Sequence, residues 1–299
     1  MSPSKPASAA TRSSTSVTIA RSASCTNSAR LARALEAGEF VLHYQPKIDM
    51  RDGRIIGAEA LLRWQHPERG LLSPGEFLPA IEHDAFIVDL GHWIIETALE
   101  QIETWLDAGT PLDVGINIAA RQLQAPAFLA GLENALARHP AAARHLELEI
   151  LESAALDDIA HTTALIERCH ALGLSVALDD FGTGYSSLAY LKRLPVDAIK
   201  IDQGFVRDVL TNADSLVIVR AIIGLAQAFE LELVAEGVET PAQGRLLRQL
   251  GCHYAQGYGI AQPLPADDFL HWAKHWRPPH EWWASRSGRS SALPGPLTS

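Results

Sequence analysis

Cysteine is scarce in this chain: three in 299 residues, at Cys25, Cys169 and Cys252. They form no even, closely spaced set and no CxxC pair, which argues against a disulfide framework and makes a reducing compartment, the cytoplasm, the expected location. Long apolar runs are missing too. The nearest approach, Val217 to Ala226, is interrupted by Arg220 and falls short of the ~18 uninterrupted apolar residues of a membrane span. Basic residues are outnumbered: 25 Lys and Arg against 35 Asp and Glu give a formal net charge of −10, the wrong sign for a protein that coats the phosphates of duplex nucleic acid. A nucleotide held through metal ions stays open. No acidic residue precedes Glu36, and the Ser-, Thr- and Ala-rich residues 1–28 carry no apolar signal core, so they read as a disordered tail or linker. At the other end Arg277-Pro278-Pro279 closes the ordered pattern. Residues 277–299 read as a second, mostly disordered tail, from which Trp282 and Trp283 can pack back.

Between the tails, residues 29–276 read as one folded domain, and at 47% hydrophobic residues the chain can bury a large core. Short apolar segments alternate with helix-length amphipathic ones. After an early strand, Phe40 to Ile48, strands are predicted at Ile55–Leu61, Val114–Ile118, Leu146–Leu151, Leu174–Leu178, Ala198–Ile201, Glu232–Ala235 and Tyr254–Tyr258. The main helices are predicted at His92–Ala108, Ala160–Leu172, Asp214–Phe229 and Pro241–Leu250. Repeated βα units of this kind predict an α/β protein, a TIM-type (β/α)8 barrel modified by an early antiparallel strand.

The run Ala177-Leu178-Asp179-Asp180-Phe181-Gly182-Thr183-Gly184-Tyr185-Ser186-Ser187 ends an apolar strand in two adjacent carboxylates before a glycine-containing turn. Neighbouring carboxylates disfavour each other's ionisation, and a hard divalent cation relieves that repulsion. Ordinary loop chemistry, in which Asp bonds its own backbone and Gly supplies positive φ, explains the same residues. Other polar residues share the placement, however: Glu59, Asn117, Glu149 with Glu152, Lys200 with Asp202, Glu236 and Gln256 all lie at or near the ends of predicted strands. In a TIM barrel those ends converge on one mouth, where catalytic groups gather.

These residues resemble the EAL domain of bacterial cyclic di-GMP phosphodiesterases. The likeness runs through Tyr44-Gln45-Pro46, Glu59-Ala60-Leu61-Leu62-Arg63-Trp64, Glu147-Leu148-Glu149-Ile150 with Glu152, the Asp179-Asp180 run, Lys200-Ile201-Asp202, Val234-Ala235-Glu236-Gly237-Val238-Glu239-Thr240 and Gln256-Gly257-Tyr258. The resemblance implies two Mg²⁺ or Mn²⁺ ions per site: one held by Glu59, Asn117, Glu149 and Asp179, the other by Asp179, Asp180 and Glu236. It implies catalytic roles for Lys200, Glu236, Gln256 and Glu152, the last as a brace for the loop Phe181 to Ser187. Substrate contacts fall to Gln45, Leu61, Arg63 and Asp202. The implied reaction opens cyclic di-GMP to linear pGpG, with a homodimer formed through that loop. The alternative is a silent cyclic di-GMP receptor acting on a protein partner; such members typically lack a metal or lysine position, and here all are present. Three positions depart from the usual pattern: Leu151 for threonine, Ala119 and Gly204 for serine. Ala119 and Leu151 delete hydroxyls near the metal ligands, where a lost hydrogen bond lowers metal affinity by ~10–100-fold.

Overall fold

The computed structural model describes residues 29–81, 84–183 and 188–283. Residues 1–28, 82–83, 284–299 and 184–187 of the loop Phe181 to Ser187 lie outside them, so of the predicted C-terminal tail, 277–299, residues 277–283 are described. Ten strands are present among the described residues: β1 (Phe40–Asp49), β2 (Arg54–His66), β3 (Gly70–Leu72), β4 (Asp113–Ile118), β5 (Leu146–Leu151), β6 (Ser175–Phe181), β7 (Ala198–Ile201), β8 (Glu232–Ala235), β9 (Tyr254–Ala255) and β10 (Leu264–Pro265). Eight of them close a barrel in the order β1-β2-β4-β5-β6-β7-β8-β9, with β9 pairing back onto β1. From β2 round to β9 every neighbour is parallel. Strand β1 is antiparallel on both sides, as the sequence predicts. The reason is the short turn 50–53: a parallel neighbour needs a crossover of a dozen residues or more, and only an antiparallel strand can follow so tight a link.

Side chains alternate across each parallel strand. The outward residues, such as Val114, Ile116, Leu146, Leu148, Val176, Leu178, Ile199 and Ile201, are buried against the surrounding helices. The inward face is different. A TIM barrel interior is ordinarily filled by layers of bulky branched residues, whereas Lys47, Glu59, Glu147, Glu149, Asp179 and Lys200 are joined here by ion pairs across the interior. Polarity that would be costly in a core is thereby concentrated below the barrel mouth.

The helices follow the apolar periodicity, and one helix and one strand differ informatively from their predicted bounds. The helix predicted from His92 begins at Phe86, whose N–H donates to Asp84, and it runs to Asp107. Gly91 is a packing glycine within it: a Cβ there would stand 2.2 Å from Gln122 Oε1. The helix Pro241–Leu250 has its predicted ends, set by the Thr240–Gln243 capping box, Pro241 at the first turn and Gly251 at φ 105°. The strand predicted over Tyr254–Tyr258 is confined to Tyr254–Ala255 because the chain then crosses the 237–239 backbone, with Val238 N–H donating to Gln256 O.

Opposite the mouth, an aromatic strap covers the 50–53 turn. Trp276 donates to Gly53 O and Trp283 to Arg51 O, both at 2.9 Å, while Arg248 holds Trp282 O at 3.0 Å. Trp282 itself is buried, its indole against Gly244. Replacing it with alanine is expected to lower the unfolding free energy by about 3–5 kcal/mol, the usual cost of emptying a large aromatic site. A denaturant midpoint equal to that of the unaltered chain would show that the strap is dispensable.

Candidate active site at the barrel mouth

The bulged end of β6 is where local structure first serves the site. Adjacent residues of a regular strand point to opposite faces, so Asp179 and Asp180 would diverge. The pairing of β6 with β7 is irregular between Leu178 and Phe181, and Asp180 adopts φ 53°. Aspartate tolerates this left-handed conformation better than most residues, and a bulge re-aims side chains. Carboxylate oxygens of Asp179, Asp180 and Glu236 consequently lie within 4.8 Å of one another. A second group, Glu59, Glu149 and Asp179, meets the same limit, so Asp179 belongs to both.

The remaining predicted residues arrive from neighbouring strands. Asn117 lies beside Glu149 in the sheet, and its amide donates to Glu59 Oε1 at 2.6 Å. Gln256 donates to Glu59 Oε2 at 2.5 Å and to Glu236 Oε1 at 3.3 Å, while its own buried Oε1 has no hydrogen-bond partner. Lys200, 1% exposed, puts Nζ 2.6 Å from Glu149 and Glu236, 3.2 Å from Glu59 and 3.3 Å from Asp179. Glu152 is set back from the mouth, accepting from Gly182 N–H at 2.9 Å and from the Tyr190 hydroxyl. Asp202 caps the helix Gln203–Asp208 by accepting from Gly204 N–H at 3.0 Å. Gln45 pairs with Glu59 across the β1–β2 ladder, but its amide donates to Ala261 O at 3.0 Å. Arg63 is half-buried on the same face of β2 as Glu59 and Leu61, and donates to Leu62 O.

One participant went unpredicted. Lys47 on β1 is buried, with Nζ 2.5 Å from Glu147 and 2.8 Å from Glu149 Oε1. Its sequence signal is the two-residue alternation Val41, His43, Gln45, Lys47, which puts it on the face that carries Gln45.

Burial raises the pKa of Glu59, and the charges of Glu149 and Asp179 add to it against the opposing pull of Lys200. Glu236 is raised well above the carboxylate range by burial, with Asp179 and Glu59 adding to the shift. Asp180 is pushed up to about 6 by burial, then by Asp179 and Asp202. Glu149 runs the other way: burial favours its neutral form, but Lys200 and Lys47 outweigh burial and hold it low. Lys200 stays protonated because its carboxylate neighbours overcome the burial penalty. Five carboxylates thus crowd a site whose central ammonium cannot balance them. Hard oxygen donors, excess buried negative charge and the orphaned Gln256 Oε1 fit hard divalent cations.

Beside this cluster opens a cavity of about 650 Å³, bordered by Leu61 and Asn117 and walled by apolar side chains including Leu78, Ile87 and Ile118. Ala119 and Leu151, the two positions where the expected hydroxyls are missing, also line it. The cavity therefore joins an apolar wall to Asn117 at the edge of the cluster, the combination of a broad apolar surface and a few polar groups common in ligand sites.

The EAL domain family model matches residues 28–263. Among curated relatives, the bifunctional diguanylate cyclase/cyclic di-GMP phosphodiesterase MucR of Pseudomonas aeruginosa is 44% identical over 241 residues, covering 80% of this chain and 35% of MucR. The cyclic di-GMP phosphodiesterase PdeR of Escherichia coli is 42% identical over 246 residues, covering 82% of this chain and 37% of PdeR. The chain thus spans little more than a third of either relative. The solved c-di-GMP complex of the PaMucR phosphodiesterase has a TM-score of 0.79 at 43% identity, covering 82% of this chain and 100% of that one. The FimX EAL domain of Pseudomonas aeruginosa bound to c-di-GMP has a TM-score of 0.73 at 27% identity, covering 80% of this chain and 96% of that one.

Proposed function

The chain belongs to the EAL domain family, and we propose that it is a metal-dependent phosphodiesterase that hydrolyses cyclic di-GMP to linear pGpG. The observation that carries the reading is the pair of carboxylate groups sharing Asp179 around Lys200. Glu59, Asn117, Glu149 and Asp179 would hold one Mg²⁺ or Mn²⁺ ion and Asp179, Asp180 and Glu236 the other. Two such ions, when bound, supply Lewis-acid stabilisation of a phosphodiester and an activated water.

The chain's own residues orient and exclude. Held protonated among carboxylates, Lys200 is suited to stabilise negative charge that develops on phosphate oxygens rather than to accept a proton. Gln256, anchored through its amide to Glu59 and Glu236, keeps Oε1 free to accept from the attacking water. Arg63 offers a planar guanidinium for phosphate, a geometry that lysine does not reproduce. The apolar cavity beside Leu61 offers a guanine base room to leave water. Glu152, bonded to Gly182 N–H, would transmit dimer contacts in the loop Phe181 to Ser187 to the carboxylates of β6. The scarcity of cysteine supports a cytoplasmic location, where a soluble cyclic dinucleotide would be met.

The test is direct. Purified protein incubated with cyclic di-GMP and Mg²⁺ or Mn²⁺ is expected to yield pGpG by chromatography, and none after chelation. Nucleotide binding without any metal-dependent product would replace the enzyme reading with the receptor one.

A further inference from the structure

The ion pair beneath the site has no evident structural purpose. Lys47 and Glu147 stand on the inward faces of β1 and β5, and their side chains are only 8% and 18% exposed. A buried ion pair is weak support for stability, since apolar residues of similar volume often serve as well or better. Branched apolar layers are also the usual filling at this level of a TIM barrel. Something else must favour charge here, and the geometry shows what Lys47 does with it. Its ammonium bonds Glu147 on one side and Glu149 Oε1 on the other, at 2.8 Å. Glu149 Oε2 faces the opposite way, 2.6 Å from Lys200 Nζ. The contact has reserved space: a Cβ at Gly115 would lie 2.0 Å from Glu149 Oε1 and 2.8 Å from Lys47 Nζ.

We propose that Lys47 is a positioning residue, anchoring Glu149 Oε1 from the barrel floor so that Oε2 alone is presented to the cluster with Glu59 and Asp179. The inference rests on the metal-site reading above. A lone cation so close to a bound metal would repel it, but Glu147 neutralises Lys47 at 2.5 Å. The pair therefore aims the carboxylate with little net field of its own. Without the anchor, Glu149 is free to rotate, and a metal ion must restore its aim before binding.

The charge-balanced variant Lys47→Leu/Glu147→Leu separates aim from stability. In chelator its unfolding midpoint is expected to fall by less than that of Lys47→Met, which leaves Glu147 as well as Glu149 without the ammonium. Mn²⁺ binding, followed by titration calorimetry and by the electron paramagnetic resonance of free Mn²⁺, is expected to weaken by ~10–100-fold, the usual effect of deleting a group that orients a ligand. The Mn²⁺ concentration giving half-maximal turnover should rise by that factor, and by more than kcat falls, whereas simple loss of folded protein would lower kcat alone. Lys47→Met, measured in the same way, covers the case in which the double variant does not fold. Unchanged or tighter Mn²⁺ binding in the folded variants overturns the positioning role and leaves the metal-site reading in place. Failure of the unaltered chain to bind Mn²⁺ overturns both.

Discussion

Replacing Asp179 with asparagine is expected to reduce turnover by more than ~100-fold, because loss of a group that merely orients a ligand already costs ~10–100-fold in metal affinity and Asp179 is shared by both carboxylate groups. The substitution keeps the shape. Asparagine retains an oxygen able to accept from Asp180 N–H, as Asp179 Oδ1 does at 2.9 Å, so the bulge of β6 has no reason to collapse. What disappears is one negative charge and the second carboxylate oxygen. Stability separates this from a folding defect. In chelator the variant should be at least as stable as the unaltered chain, since a buried charge facing Glu59, Asp180 and Glu236 has been removed. Added Mn²⁺ should reverse the order. An ion present at 100 times its dissociation constant stabilises by about 2.7 kcal/mol per site, and a 100-fold weaker site gains only about 0.4 kcal/mol at that concentration. Equal metal-induced stabilisation of both proteins, or near-normal turnover by the variant, would remove Asp179 from the bridging position.

Much of this arrangement is legible in the chain because barrel strands obey a local rule. Val114 to Ile118, Leu146 to Leu151 and Ala198 to Ile201 show themselves by apolar content, and their boundaries in the structure are close to those predicted. Once parallel, their ends must converge, so the gathering of Glu59, Asn117, Glu149, Asp179, Lys200 and Glu236 follows from topology. Local rules end at contacts across the barrel. Lys47 looks like a solvated lysine in an early strand, because nothing between Tyr44 and Asp49 announces that β1 will be enclosed by β2 and β9. Its partners Glu147 and Glu149 lie about a hundred residues away. The bulge at Asp179-Asp180 is hidden for another reason. An Asp-Asp pair before glycine reads as the start of a loop, yet both residues belong to β6, and it is the positive φ of Asp180 that brings them to one mouth. Gln45 shows the converse: its place in the Tyr44-Gln45-Pro46 motif suggests a base contact, while the fold gives its amide to Ala261 O.

Lys200→Met is expected to lower kcat by ~10²–10³, the range associated with removing one donor that stabilises developing negative charge, with a smaller change in KM for cyclic di-GMP. The geometry dictates an unusual companion effect. Lys200 is the cation common to Glu59, Glu149, Asp179 and Glu236, and removing one partner of a buried ion pair typically costs about 3–5 kcal/mol because the other is left uncompensated. The chelated variant should unfold at clearly lower denaturant. Mg²⁺ or Mn²⁺ should restore most of that stability, since divalent charge then balances the same carboxylates, but it should not restore turnover. The two readouts therefore part company only if Lys200 has a duty in the reaction beyond neutralising its neighbours. Recovery of both on adding metal would reduce Lys200 to a counter-ion. Loss of neither would mean that Lys200 neither balances these carboxylates nor acts in turnover.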